Sequence, residues 1–349
     1  MHFSERCDRP DLESLSLNKM LAGRLASLIA STAFKRGGSS LKGDRRAPTG
    51  QASLRPTLVY EMSAFIETLI NGLLLGALYA LFGLGLSISL GVMRMINIAH
   101  GDLIVLGAYI TSVVMEVADV HALASLFFVA PIMFIIGWVL QRALFNHVIG
   151  RSVFAPLLVT FGLSIVVQNL LQETFTADTR SLRAENISQI GFDIGGVSIG
   201  LLPLVSAGVS AGLFALTHAV IASTHYGRQS RAVADDPSTA RLVGVDDKNF
   251  FAIVTGFVMA AIAFAAVLYA IRTPFSPTAG PDRLLYSFEA VVLGGLGNLW
   301  GTFFGGLVIG VAQLFGARVS SGLGPFFGHL VFLTMLLARP QGLFAKVAR

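Results

Sequence analysis

From Ile66 to Met93 and again from Leu103 to Val114 the chain is apolar, and between the two runs stands the polar string Asn97-Ile98-Ala99-His100-Gly101-Asp102, with almost no spacer. Crossing roughly 30 Å of hydrocarbon takes about 20 apolar residues. On that rule the pattern predicts spans at 64–92, 102–117, 122–142, 153–174, 197–222, 249–271, 287–315 and 325–338. The expected fold is therefore all-α, a polytopic membrane bundle of about eight transmembrane helices with broken or re-entrant segments. The short runs 102–117 and 325–338 are candidates for half-spanning pieces, and the glycine-rich 287–315 for a broken or re-entrant helix. A bilayer accepts polar backbone and side chains only where they face protein or a water-filled path. The string 97–102 is accordingly the first candidate for a transport route.

Composition agrees with a membrane as the solvent. The chain is 54% hydrophobic and 13% charged, against roughly 25% charged residues in soluble domains, and its mean hydropathy is +0.72. Residues 1–61 are different in character: they hold ten Lys and Arg against six acids, with the breaker run Lys35-Arg36-Gly37-Gly38-Ser39-Ser40, and read as a disordered basic extension. This extension accounts for most of the basic balance, so nucleic-acid binding is not implied. Arg24 interrupts the apolar stretch Met20–Phe34, which argues against a cleaved signal; the biological start is expected at Met62, where the transmembrane domain, 62–345, begins. Cys7 is the only cysteine, which excludes an intrachain disulfide and a cysteine-based metal cluster.

Basic residues in short loops set the orientation. Arg142, Arg151, Arg228, Arg231, Arg241 and Lys248 place the loops 142–151 and 227–248 in the cytoplasm. Eight alternating spans would leave the C-terminus outside, whereas Arg339, Lys346 and Arg349 favour the inside. A re-entrant 287–315 would remove that conflict. Within the second loop, Asp236 or Ser238 is placed to cap a short surface helix beginning near Pro237 and ending at Gly244.

Glycines four apart, Gly72 and Gly76, Gly301 and Gly305, Gly306 and Gly310, form the small-x-x-x-small spacing that lets helices approach closely in lipid. The denser run Gly294-Gly295-Leu296-Gly297-Asn298 predicts a helix break. Interruptions in both halves, 83–107 and 294–310, point by analogy with secondary transporters to a midplane path. The pathway candidates are Asn97, His100, Asp102, Gln168, Asn169, Gly294, Gly295, Gly297 and Asn298. His100 and Asp102 are expected to cap a helix beginning near Leu103, where a carboxylate also suits the dipole. Asn97, Gln168 and Asn169 either bond a neighbouring helix or line the path. Glu289 is expected at an interface. Tyr79 and Arg94 are left unassigned. No motif calls for a metal or other cofactor, and none for hydrolytic catalysis.

Four collinear motifs then meet a known pattern. Asn71-Gly72 through Ala77-Leu78-Tyr79-Ala80-Leu81, Ile96-Asn97-Ile98-Ala99-His100-Gly101-Asp102, Arg231-Ala232-Val233-Ala234 through Ala240-Arg241-Leu242-Val243-Gly244-Val245, and Val292-Leu293-Gly294-Gly295-Leu296-Gly297 with Gly301 together resemble the LivH-type permeases of branched-chain amino acid ABC importers. The resemblance implies a multi-pass inner-membrane permease subunit without its own ATPase. Its implied partners are separate ABC ATPase subunits, a second homologous permease, a periplasmic solute-binding protein and a small-molecule solute. The chain carries no Gly-x-x-x-x-Gly-Lys-Ser/Thr phosphate loop of its own. The resemblance makes 224–248 the ATPase-coupling loop, with Gly227, Arg231, Ala234, Ala240 and Gly244 as its candidate residues, though the full Glu-Ala-Ala pattern is lacking. The alternative is a self-contained secondary transporter or channel, which would need coupling-ion ligands that only isolated residues such as Asp102 and Glu289 offer.

Overall fold

A computed structural model of the chain describes residues 54–150, 152, 154–182 and 190–344. The expectations for residues 1–53, and those involving Arg151, Lys346 and Arg349, lie outside the described residues. The first helix, α1 (Leu54–Met93), already begins upstream of Met62, so the boundary expected at residue 61 falls inside a helix. It is followed by α2 (His100–Ala118), α3 (Leu126–Ala143), α4 (Phe154–Phe175), α5 (Leu201–Ser223), α6 (His225–Asp235), α7 (Pro237–Leu242), α8 (Asp247–Arg272), α9 (Gly280–Gly294), α10 (Leu299–Val319) and α11 (Gly324–Ala338). Among the described residues, seven helices are long and apolar enough to cross a membrane.

Two departures from the expected pattern have local causes. The predicted start of the fifth span at residue 197 is a strand: β1 (Gly191–Ile194) pairs antiparallel with β2 (Val197–Gly200). Gly195 and Gly196 both take positive φ, 63° and 84°, as a two-residue hairpin turn requires. The predicted 287–315 span is two helices, α9 and α10, folded back on each other around 295–298. Gly294 of α9 lies directly against Gly301 of α10, and a Cβ on Gly294 would overlap the Gly301 backbone.

Glycine also fixes α1 against α10. Gly72 and Gly76 face Val311 and Leu307, and a Cβ on Gly76 would meet the Leu307 Cα at 2.5 Å and the Gly306 carbonyl at 2.6 Å. The order of partners runs backwards, 72 with 311 and 80 with 306, so the two helices are antiparallel. At the centre lies α8, with residues such as Ala263, Ala266 and Tyr269 fully buried. A helix apolar on every side belongs inside a bundle, whereas α3 and α4 turn Phe127, Ile135, Leu158 and Val166 outward.

The two ends of the bundle are identified by contacts. Met93 receives a hydrogen bond from Thr255, Arg142 donates to the Asn249 side chain at 2.8 Å, and Asn146 donates to the Lys248 carbonyl. Gly91 lies against Gly297, and Gly342 against Gly295. One end therefore gathers Arg94, Arg142, Arg228, Arg231, Arg241, Lys248 and Arg339, which the positive-inside rule makes cytoplasmic. Because 287–315 contributes two passages, α11 returns to this same end. The conflict over the C-terminal side disappears.

Candidate solute path and coupling surface

At the end of α1 the chain turns back on itself over 94–99, with Arg94 at φ 51°. His100 then starts α2 beside Phe82, whose carbonyl accepts from His100 Nε2 at 2.8 Å. Phe82 lies eleven residues from Met93, about 16 Å at 1.5 Å per residue, so α2 begins near mid-bilayer. Asn97, 7% exposed, holds the turn: its Oδ1 accepts from the Ala99 N–H at 3.0 Å. The Ile98 N–H donates to Thr160 Oγ1 of α4 at 3.1 Å.

The expected capping role of His100 and Asp102 is not what the structure shows. The helix starts at His100, three residues earlier than the start at Leu103 that would make Asp102 the N-cap, and Ala99 occupies the cap with no side-chain bond. Asp102 sits in the first turn and reaches sideways, accepting from Gln168 Nε2 at 2.9 Å. Gln168 also donates to Ser164 at 3.3 Å. Asn169, its neighbour on α4, points away, is exposed and bonds its own helix at the Ile165 carbonyl. Asp102 and Gln168 thus form one site, and Asn169 is not part of it.

A second helix starts at the same depth. α9 enters after Ala279 (φ −76°, ψ −5°), as α2 enters after Ala99 (φ −70°, ψ −3°); neither entry has a side-chain cap, and each carries an acid in its first turn, Asp282 and Asp102. The two starts touch. A Cβ on Gly101 would meet the Leu284 amide at 2.6 Å, and one on Gly280 would meet the Asp102 Cα at 2.9 Å. Two interrupted helices therefore place their positive dipole ends together inside the membrane.

This pairing corrects the expected partner of the first interruption. Gly294, Gly295, Gly297 and Asn298 are not at the midplane; they turn the chain at the cytoplasmic end, where Gly295 (φ 98°) and Gly297 (φ 75°) need positive φ. Asn298 caps α10 through the Gly301 N–H at 3.1 Å and donates to the Phe344 carbonyl at 2.8 Å. The true counterpart of 94–99 is 273–279, whose signal was proline rather than polarity: Pro274, Pro277 and, at the helix start, Pro281.

Beside this junction, α1, α8, α9, α10 and α11 bring together polar side chains that the apolar windows concealed. The Tyr79 and Tyr286 rings stack at 4.5 Å, and His329 stacks on Tyr286 at 5.7 Å. Arg283 lies 4.5 Å from the Tyr269 ring centre. Glu289, expected at an interface, is 1% exposed and pairs with His329 Nδ1 at 2.6 Å. Their partners lie 40 positions apart in sequence, so no local pattern announces the pair.

At the cytoplasmic end, two short helices replace the single one expected. α6 starts at His225, with the Thr224 hydroxyl accepting from the Gly227 N–H. Gly227 has no room for a side chain, since a Cβ would meet the Ile221 Cα at 2.7 Å. Asp236 caps α7, accepting from the Ser238 N–H at 2.8 Å and from the Ser238 and Thr239 hydroxyls. Those donors hold its carboxyl well below the usual carboxylate range. Gly244, at φ 87°, ends the pair, and Ala240 is buried beneath it. Arg231 bonds back to the Ile221 carbonyl at 2.6 Å, while Ala234 is half-buried. Arg241 joins α7 to α8 by a two-point bond to Asp247, at 2.9 and 2.6 Å. Outward from this platform project Leu242 and Val243, 87% and 74% exposed.

Comparison with known proteins is consistent along nearly the whole described chain. A family model described as "Branched-chain amino acid transport system / permease component" matches residues 68–339. The high-affinity branched-chain amino acid transport system permease protein BraD of Pseudomonas aeruginosa is 30% identical over 307 residues, covering 82% of this chain and 97% of that protein. LivH of Escherichia coli, a permease protein of the same kind of system, is 28% identical over 299 residues, 81% of this chain and 96% of its own length. The fructose import permease protein FrcC of Rhizobium meliloti is 31% identical over 206 residues, covering 54% of this chain and 55% of that protein.

Proposed function

The chain belongs to the branched-chain amino acid transport permease family, and from that premise we propose that it carries branched-chain amino acids into the cell by alternating access through the junction of α2 and α9. It is a multi-pass inner-membrane permease subunit, a transporter component rather than an enzyme, and membership of the family implies ATPase and binding-protein partners. The finer assignment is ours: ATPase subunits dock on α6 and α7, a second homologous permease completes the path, and a periplasmic binding protein delivers solute to the opposite end.

The observation that carries this reading is the continuity of α8. At its first turn Asp247 is clamped to α7 by Arg241. Eleven and fifteen residues further on, Val258 and Ile262 stand against Gly85, where His100 begins α2. A displacement of the cytoplasmic helix pair is thus passed along a rigid, buried rod to the midplane junction. Leu242 and Val243 supply the apolar knobs that a groove on an ATPase would accept, set among Arg228, Arg231 and Arg241. The depressed titration of Asp236 keeps the α7 cap in place throughout the physiological range.

Replacing Leu242 with Asp tests the docking role. Co-purification of ATPase subunits and ATP-driven uptake should both be lost, while the permease still inserts and is recovered from the membrane at wild-type level. Retained co-purification and uptake would remove α7 from the coupling surface.

A further inference from the structure

Within the helix bundle this chain keeps two half-buried guanidinium groups without a carboxylate in ion-pair contact. Arg272 ends α8, Arg283 closes the first turn of α9, and neither is exposed. Among the described residues only two ion pairs form, Arg241 with Asp247 and His329 with Glu289. Glu289 is engaged through Oε1 by His329, its Oε2 is buried without a partner and makes no ion pair with either arginine, and Asp282, although adjacent to Arg283, is turned to the exposed side of α9. Arg272 Nη1 and Arg283 Nε are buried and have no hydrogen-bond partner, and the same holds for the Tyr269 hydroxyl and Gln313 Oε1.

Charge held among packed helices without a counter-ion is costly and points to a site. The aromatic rings offset part of that cost, since Arg283 lies over Tyr269 at 4.5 Å and over Tyr286 at 6.0 Å. Ring faces do not satisfy a guanidinium N–H, however, and a planar fork of donors is matched best by a carboxylate taken in two-point contact. Tyr79, stacked on Tyr286, closes the side formed by α1.

We propose that Arg272 and Arg283, walled by Tyr79, Tyr269 and Tyr286, form a site within the helix bundle that binds the carboxylate of the transported solute. The proposal rests on the amino-acid reading above and sharpens it, because a neutral urea or amide could not supply the missing charge.

The test uses the purified complex of permease and ATPase subunits without the binding protein, probed with radiolabelled leucine and with leucinamide as competitor. Wild-type complex should bind leucine saturably, and leucinamide should not displace it. Arg283→Gln and Arg272→Gln should each weaken leucine binding at least tenfold, with Arg283→Lys intermediate, all three still co-purifying with ATPase. Leucine binding unchanged in both Gln variants would overturn the site, as would equal competition by leucinamide. So would absence of wild-type binding in a complex whose complete importer, binding protein included, accumulates leucine. If that complete importer accumulates no branched-chain amino acid, the amino-acid reading itself fails and the site falls with it.

Discussion

Gly306→Ala adds one methyl group at a place where α10 lies directly against α1. The new Cβ would meet the Ala80 amide at 2.5 Å, its Cα at 2.7 Å and its Cβ at 2.8 Å. Ordinary carbon contacts lie at 3.5–4.0 Å, so the helices must separate by roughly 1 Å, and two of the three obstacles are backbone that cannot rotate aside. Overpacking of this kind costs about 1–3 kcal/mol, and neighbouring contacts at Gly76 and Gly310 loosen with it. The same substitution at Gly208 on α5 meets nothing within 4 Å; there Ala should gain about 0.5–1 kcal/mol from helix propensity. Thermal unfolding of the two variants in one detergent provides the assay. With about 2–4 °C per kcal/mol for a chain of this size, Gly306→Ala should melt about 2–12 °C below wild type, and Gly208→Ala at or slightly above it. Equal melting temperatures would refute glycine-mediated packing as what joins α1 to α10.

Other outcomes follow from the site and the coupling surface. Gly244→Leu forces a side chain into φ 87° and should abolish uptake while leaving insertion intact; unchanged uptake would count against the α7 stop. Gln168→Leu leaves the Asp102 carboxylate without its donor from α4. A buried polar group left without its partner costs about 1–3 kcal/mol, so both melting temperature and uptake should fall, whereas Asn169→Leu, on the outward face, should leave uptake close to wild type. For Asp236 the folded carboxyl titrates below its unfolded value near 3.9. Its contribution is therefore complete above that value and is lost only as pH falls beneath it, so ATPase co-purification should be flat between pH 5 and 8. A decline within that window, absent in Asp236→Asn, would contradict the cap.

The sequence made the apolar spans legible because their signal is summed over twenty residues, and the 97–102 break legible because polar residues stand out within such a run. The α7 start at Pro237 was equally open, since capping is a local code carried by Asp236 and Ser238. The role of Asp102 was not, because its partner Gln168 lies 66 positions away on another helix. Glycine misled in one place and served in another. In 294–298 it marks a turn at the membrane surface rather than a break at the midplane, whereas Gly72 and Gly76 did mark a close helix contact. Arg272, Arg283 and the Glu289–His329 pair were hidden by averaging: each is one charge in an apolar window, and only the folding of α9 back into the bundle brings them together. The hairpin at 191–200 had a readable signal in Gly195-Gly196 between Phe192-Asp193-Ile194 and Val197-Ser198-Ile199, which a search for twenty-residue spans passes over.

The central claim is that this chain moves solute only when separate subunits supply ATP hydrolysis. Reconstitution into vesicles, followed by radiolabelled leucine accumulation, tests it directly, comparing the permease alone, the permease with ATPase subunits, and the full set with the binding protein and ATP. Accumulation against a gradient is expected only in the full set, and none when ATP is replaced by a non-hydrolysable analogue. Accumulation by the permease alone, driven by an ion gradient, would contradict it.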